Sequence, residues 1–151
     1  SFTFVTPGYS VRPLEMSGAI GSVQLKKEFA MRTQRIKNAK YFQERFKNNK
    51  DILLQKEIGT SSWFGFSLVL QNNLEGKRDE VVKKLTENGV ECRPIVAGNF
   101  MKNPVIDYLE YYSNSCPNAD YIHKNGLFIG NDIGDLTLNI DMVYSIIKEV
   151  K

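Results

Sequence analysis

The eight residues Trp63-Phe64-Gly65-Phe66-Ser67-Leu68-Val69-Leu70 constrain the fold of this chain more than any other stretch. A strand with one wet face alternates apolar and polar side chains, whereas this run holds one hydroxyl and no charge. It is expected to lie centrally in a sheet. Before it, Ile52 to Ile58 reads as a strand, with Gly59-Thr60-Ser61-Ser62 as the turn. After Gln71-Asn72-Asn73, Lys77 to Asn88 puts Val81, Val82 and Leu85 on one helical face, and Gly89 supplies the stop. Val90 to Val96 returns as a strand carrying Cys92, Arg93 and Pro94. Strand, helix, strand in this order predicts a split β-α-β unit and a small α/β (α+β) sandwich.

The flanks extend that plan. From Pro13, which suits a first helical turn, a helical pattern runs to about Asn48. Leu14, Ile20, Val23, Leu25, Phe29, Ile36, Ala39, Phe42 and Phe46 are its expected apolar stripe. The run is long enough to predict either two helices bent near Glu28 or one spine between domains. Gly18, Ala19, Gly21 and Ser22 place small residues near its start, which suggests close approach by another backbone or a partner subunit. Downstream, Ala97-Gly98-Asn99-Phe100 leaves the strand as a loop, and Asn103-Pro104 and Cys116-Pro117 bracket an irregular segment rich in tyrosine. Asn118 is expected to cap a helix over Ala119 to Lys124, Gly126 to Gly130 to form a buried strand, and Thr137 to cap a last helix. Ile140, Val143, Ile147 and Val150 share a face of that helix.

Bulk properties narrow the function. A net charge of +3 on 151 residues is too mild to imply a nucleic-acid or membrane partner. The basic helix face from Lys26 to Lys47 lacks interleaved aromatic platforms, so a solvated face is the simpler reading. Two cysteines and one histidine, in no ligand spacing, argue against a disulfide framework and a metal site. With no signal peptide or apolar span in the sequence, a cytoplasmic setting is the expectation. The start at Ser1, directly in an apolar run, is read as a C-terminal fragment.

Three polar clusters lie at loop mouths. Tyr9, Ser10 and Arg12 offer backbone amides at a helix start, a hydroxyl and a guanidinium, a donor set for a phosphate; a structural ion pair of the arginine is the simpler reading. Arg93, Asn99 and Phe100, with Gly98 between them, offer hydrogen bonds to a polar substrate; a packed or ion-paired arginine is the competing reading. His123, Asn131 and Asp132 form the third, where a structural histidine is the simpler reading. No nucleophile–base pair, phosphate loop or carboxylate cluster accompanies them, so the residues alone describe an accessory domain completing a site built elsewhere.

The stretch GYSVRPLEMSGAIGSVQLKK resembles the GYN-x-R…A-A-I-G…Q-L segment of the DegT/StrS sugar aminotransferases, fold type I pyridoxal-phosphate enzymes. ECRPIVAGNF, NPV and PNADYIHKNGLFIGN, in this order, resemble the branch of GDP-4-keto-6-deoxymannose 3-dehydratases. The resemblance spans essentially the whole chain. It implies the small C-terminal domain of such an enzyme, a mainly antiparallel sheet with helices packed on it. Residues 1–12 would be an interdomain loop reaching the active site, 13–50 a helical spine and 51–151 the small domain, with a cofactor-binding domain upstream.

The implied function is pyridoxamine 5'-phosphate-dependent removal of the 3-hydroxyl of a nucleotide-linked 4-keto-6-deoxysugar, with glutamate restoring the cofactor amine, in a homodimer. The implied alternative is a pyridoxal 5'-phosphate-dependent sugar aminotransferase. Histidine rather than lysine at the upstream cofactor position would separate them, and no catalytic residue lies in this chain. A non-catalytic α/β binding module is the reading from another class. Gly8, Tyr9 and Ser10 match the family's Gly-Tyr-Asn, which meets the cofactor phosphate in a neighbouring subunit's site; Tyr9, Ser10 and Arg12 are therefore assigned to cofactor, with a shorter serine in place of asparagine. Arg93, Asn99 and Phe100 fall on the sugar-nucleotide side. The fragment alone is expected to be inactive.

Overall fold

A computed structural model describes residues 3–8 and 14–150. Two helices, α1 (Glu15–Leu25) and α2 (Glu28–Phe46), precede β1 (Ile52–Leu54), β2 (Gly65–Leu70), α3 (Arg78–Glu87), β3 (Cys92–Arg93), α4 (Pro117–Asn125), β4 (Gly126–Gly130) and α5 (Thr137–Lys148). The four strands order as β1-β2-β4-β3, every neighbour antiparallel. Because β2 and β3 both run against β4, they are parallel to each other with β4 inserted between them. That is the split β-α-β unit expected from the sequence, with β2 inside the sheet as its apolarity requires.

One sheet face carries the core. Phe66, Leu68 and Leu70 alternate along β2, pair in register with β4 through Leu68↔Leu127, and meet Val81 and Leu85 of α3 and Ile140, Val143 and Ile147 of α5. On α2, Ala39, Phe42 and Phe46 recur at helical spacing, and Phe42 stacks on Phe66 at 4.4 Å between centroids. Each such aromatic contributes roughly 1.5–3 kcal/mol by leaving water. The opposite face is partly covered by α4, whose Tyr121 hydroxyl donates to the Leu70 carbonyl at 3.1 Å.

Beside this apolar core sits a polar lock. The buried Asn38 amide donates to Asn131 Oδ1 (3.1 Å), the Asp132 carbonyl (3.1 Å) and the Gly134 carbonyl (2.8 Å), while its oxygen accepts from Leu136 N (3.3 Å). Asn131 in turn donates to the Arg35 and Trp63 carbonyls at 3.0 and 2.9 Å. The lock ties α2 to the turn between β4 and α5.

Several sequence expectations change. The helical run is two helices, broken at Lys26–Lys27 as the bend near Glu28 anticipates, but its apolar stripe holds only in the second: α1 buries no side chain. A Cβ added at Gly18 or Gly21 would meet nothing within 4 Å, so among the described residues no backbone approaches there. β1 stops at Leu54 and β3 is two residues long, because only those stretches find a partner strand. Asn118 does not cap α4, which starts at Pro117 behind Cys116, and Thr137 opens α5 rather than capping it. The Asp135 carboxylate takes the Thr137 N–H (2.9 Å) and hydroxyl (2.6 Å) instead, which holds it below the usual carboxylate range.

Candidate functional site

The segment after β3 is built by backbone constraint and a set of short polar side chains. Val96 and Gly98 both adopt positive φ (48° and 66°), a region a β-branched residue rarely enters. A Cβ at Gly98 would collide with the His123 ring, so only glycine lets α4 come this close. His123 Nδ1 accepts the Asn99 N–H at 3.2 Å. The Asn99 side chain, only 7% exposed, accepts from Met101 N (3.0 Å) and donates to Asp120 Oδ1 (2.9 Å). Lys102 Nζ meets the same carboxylate oxygen at 2.9 Å. The Lys102 hydrogen bond, then the Asn99 one, holds Asp120 below the ordinary range. These contacts close a short 3₁₀ turn, Phe100–Lys102, onto α4.

The three residues assigned to substrate take different positions on this framework. Asn99 has both polar atoms occupied internally, so it shapes the loop from within. Phe100 is 42% exposed and its ring lies 5.9 Å from that of Phe4. Arg93 is exposed on β3, its Nε and Nη2 donating to Glu91 Oε1 at 2.8 and 2.6 Å. Beside Arg93 opens a cavity of about 380 Å³, lined by Phe64, Phe66, Phe128, Asn131 and Asn139 among others. The third cluster does not assemble. His123 precedes the five-residue β4 and Asn131 follows it, so they sit at opposite ends of a strand roughly 17 Å long. His123 serves the 99–102 turn, and Asn131 the buried lock.

Tyr9, Ser10 and Arg12 lie outside the described residues. The segment leading to them is placed, however. Phe4 N donates to Asn103 Oδ1 (3.1 Å), and the Phe4 carbonyl accepts from Val105 N (2.9 Å). From Phe4 to Gly8 the chain is exposed, and among the described residues nothing lies within 4 Å of a Cβ added at Gly8. Sequence reasoning missed Asn103, Asp120 and Lys102. Only the Asn-Pro pair at 103–104 hinted at them, since asparagine before proline marks a turn.

Cys92 and Cys116 are free thiols. Burial, with Glu91 adding, pushes the Cys92 thiol up to about 11, the signature of an inert structural cysteine. Among the described residues no cluster of three metal-ligating side chains exists, and no helix is long and apolar enough to cross a membrane.

The model of the DegT/DnrJ/EryC1/StrS aminotransferase family matches residues 2–144. The chain belongs to that family. Within the DegT/StrS family it is 50% identical to a GDP-4-keto-6-deoxy-D-mannose 3-dehydratase of Yersinia pseudotuberculosis over 151 residues, 99% of this chain and 38% of the relative. Its structure resembles that of the E. coli GDP-4-keto-6-deoxy-D-mannose 3-dehydratase with bound hydrated pyridoxal phosphate. The TM-score there is 0.85 at 47% identity, covering 99% of this chain and 38% of that one. A 3-dehydratase holding a trapped pyridoxal phosphate–glutamate geminal diamine gives a TM-score of 0.84 at 47% identity, with 98% and 38% covered. This DegT/StrS chain therefore spans somewhat over a third of the length of the relatives it matches.

Proposed function

We propose that this chain is the small domain of a pyridoxamine 5'-phosphate-dependent dehydratase removing the 3-hydroxyl of a GDP-linked 4-keto-6-deoxysugar, a step in deoxysugar and lipopolysaccharide biosynthesis. The observation that carries this reading is the 50% identity to a 3-dehydratase across 99% of the chain. The division into residues 1–12, 13–50 and 51–151 follows, with the cofactor pocket completed by polypeptide equivalent to the rest of the relatives.

Bound pyridoxamine phosphate supplies an amine for the 4-keto carbon and an electron sink for loss of the 3-hydroxyl, and glutamate restores the amine. The chain's own residues bind and orient. Tyr9, Ser10 and Arg12 hold the cofactor phosphate. Arg93, held in place by Glu91 beside the apolar cavity, meets the negative charge of the sugar nucleotide, where a guanidinium donates in a fixed fork. Phe100 presents a half-exposed ring to the substrate, and Asn99 fixes the turn that carries it.

The enzyme acts as a homodimer in which residues 8–12 enter the neighbouring subunit's site. Helix α1 supports a covering surface of this kind: it exposes Met16, Ile20, Val23 and Leu25 and buries nothing, whereas a helix apolar on several sides belongs inside an assembly.

Expressed together with the remainder of the enzyme and given GDP-4-keto-6-deoxymannose, pyridoxamine phosphate and glutamate, the protein is expected to form a sugar nucleotide lacking the C3 oxygen. Mass spectrometry of the product reads this directly. A product that keeps the 3-hydroxyl and carries an amino group at C4 identifies an aminotransferase and refutes the dehydratase assignment.

A further inference from the structure

Helix α1 is an apolar surface with one acidic and one basic end. Leu14, Met16, Ile20, Val23 and Leu25 are each more than half exposed, and the helix buries no side chain. Contiguous apolar exposure of this kind marks a face to be covered. Between Glu15 in its first turn and Lys26 at its C-cap no charge interrupts it. Neither end charge enters an ion pair among the described residues. The apolar spacing alone names no partner, but the charges at the two ends do.

At about 3.6 residues per turn, Glu15, Ala19, Ser22 and Lys26 fall on one line down the helix. Met16 and Val23 flank that line on one side, Gly18 and Leu25 on the other, and Ser17 and Gln24 lie opposite it. Laid antiparallel on a second copy, the line is complementary to itself. Glu15 meets the partner's Lys26 at each end, and Ala19 meets the partner's Ser22 twice between them. The Ser22 hydroxyl already donates to the Gly18 carbonyl at 3.0 Å, so it brings no unpaired donor into the seam. A Cβ at Gly18 would meet nothing within 4 Å, which leaves room for the partner's Leu25, while Met16 comes beside the partner's Val23. Small side chains at the crossing let the axes approach toward the short end of the roughly 8–10 Å range for packed helices. A parallel pairing would instead set Glu15 on Glu15 and Lys26 on Lys26, and a slip of one turn would break both ion pairs.

We propose that α1 packs antiparallel on α1 of a second copy of this chain, along the Glu15–Ala19–Ser22–Lys26 line, about a two-fold axis between Ala19 and Ser22. This deepens the homodimer reading above and rests on it. Glu15→Lys turns two attractive pairs into two repulsive ones and is expected to raise the dimer dissociation constant by roughly tenfold. Lys26→Glu does the same. Combining Glu15→Lys with Lys26→Glu exchanges the charges and is expected to restore the wild-type constant. Because α1 buries nothing, none of these changes reaches the core.

The test uses the complete enzyme. Sedimentation equilibrium, or the rate of subunit exchange for a dimer too tight to dissociate, compares wild type, the two single variants and the combined one. Hydrogen exchange at the α1 amides is followed over a range of protein concentration. Weaker dimers in both single variants, recovery in the combined one, and α1 protection that rises with dimer concentration support the pairing. A dimer indifferent to either single change overturns it, as does a combined variant no better than the singles. Protection of α1 that does not depend on concentration overturns it too, because the remainder of the same polypeptide then covers the helix. A monomeric wild type refutes the pairing and the homodimer together. A dimer paired as stated that forms a 4-amino sugar refutes the dehydratase assignment and leaves the pairing standing.

Discussion

Replacing Asn38 tests whether the polar lock holds α2 to the rest of the domain. In Asn38→Ala the carbonyls of Asp132 and Gly134, the Asn131 side-chain oxygen, the Leu136 N–H and the Gln34 side-chain amide each lose their Asn38 partner. The Asn38 amide shares two N–H groups among three oxygens, so two donated and two accepted bonds at a net loss of about 1 kcal/mol each come to roughly 4 kcal/mol. Water entering the cavity restores part of this, so about 2–4 kcal/mol is expected, a large share of the 5–15 kcal/mol typical of a domain. Asn38→Asp is the sharper probe. It keeps nearly the same volume and the acceptor for Leu136, but turns a carboxylate oxygen toward three oxygens that now receive an N–H. Near neutral pH it is expected to destabilise at least as much as alanine, and to recover as acid protonates the carboxyl and gives it one O–H to donate. The folded-state pKa of that aspartate would be raised, so its cost is smallest at low pH and grows as pH rises through that value. Urea unfolding followed by circular dichroism at pH 7 and pH 5 measures both. An Asn38→Ala loss below about 1 kcal/mol, or an Asn38→Asp protein as stable as wild type at pH 7, would refute the reasoning.

Two further changes probe other parts of the structure. Gly98→Ala forces a side chain into a positive-φ position and against the His123 ring; a loss of more than about 1 kcal/mol is expected in thermal or urea unfolding, with exchange faster at the Asn99 amide. For the cysteines, the exposed Cys116 is expected to react first with a thiol reagent and the half-buried Cys92 more slowly. An unfolded cysteine ionises near about 8.5. The folded Cys92 holds its proton to about 11, so its contribution is full below the unfolded value and is lost as pH rises through the folded one. Cys92→Ala should lack that part of the alkaline slope.

The central sheet was legible because hydrophobic pattern is a local record of burial. The unbroken apolar run in β2 predicted an interior strand, and β2 is flanked on both sides. Gly126–Gly130 as a strand and the Ile140, Val143, Ile147 and Val150 face of the last helix followed from the same rule. The rule failed from Leu14 through α1 to the first turn of α2, where Leu14, Ile20, Val23, Leu25 and Phe29 are exposed, because apolar spacing says only that a surface is to be covered. What covers it is not encoded in the spacing.

The candidate site was less legible still. Arg93, Asn99 and Phe100 were singled out by chemistry, yet Asn99 spends its side chain on Met101 and Asp120, while Arg93 stands exposed with Glu91. Tyr9, Ser10 and Arg12 carry the family's motif in their order along the chain, which is why resemblance found them. By itself, then, the sequence determined the secondary-structure order, the interior strand, the buried faces of α3 and α5 and the family. The tertiary structure decided which polar side chains meet: Asn38 with Asn131 across 93 residues, and Phe4 with Asn103 across 99. Burial is written in composition at each position, but a hydrogen bond between distant residues depends on where two separate segments come to rest.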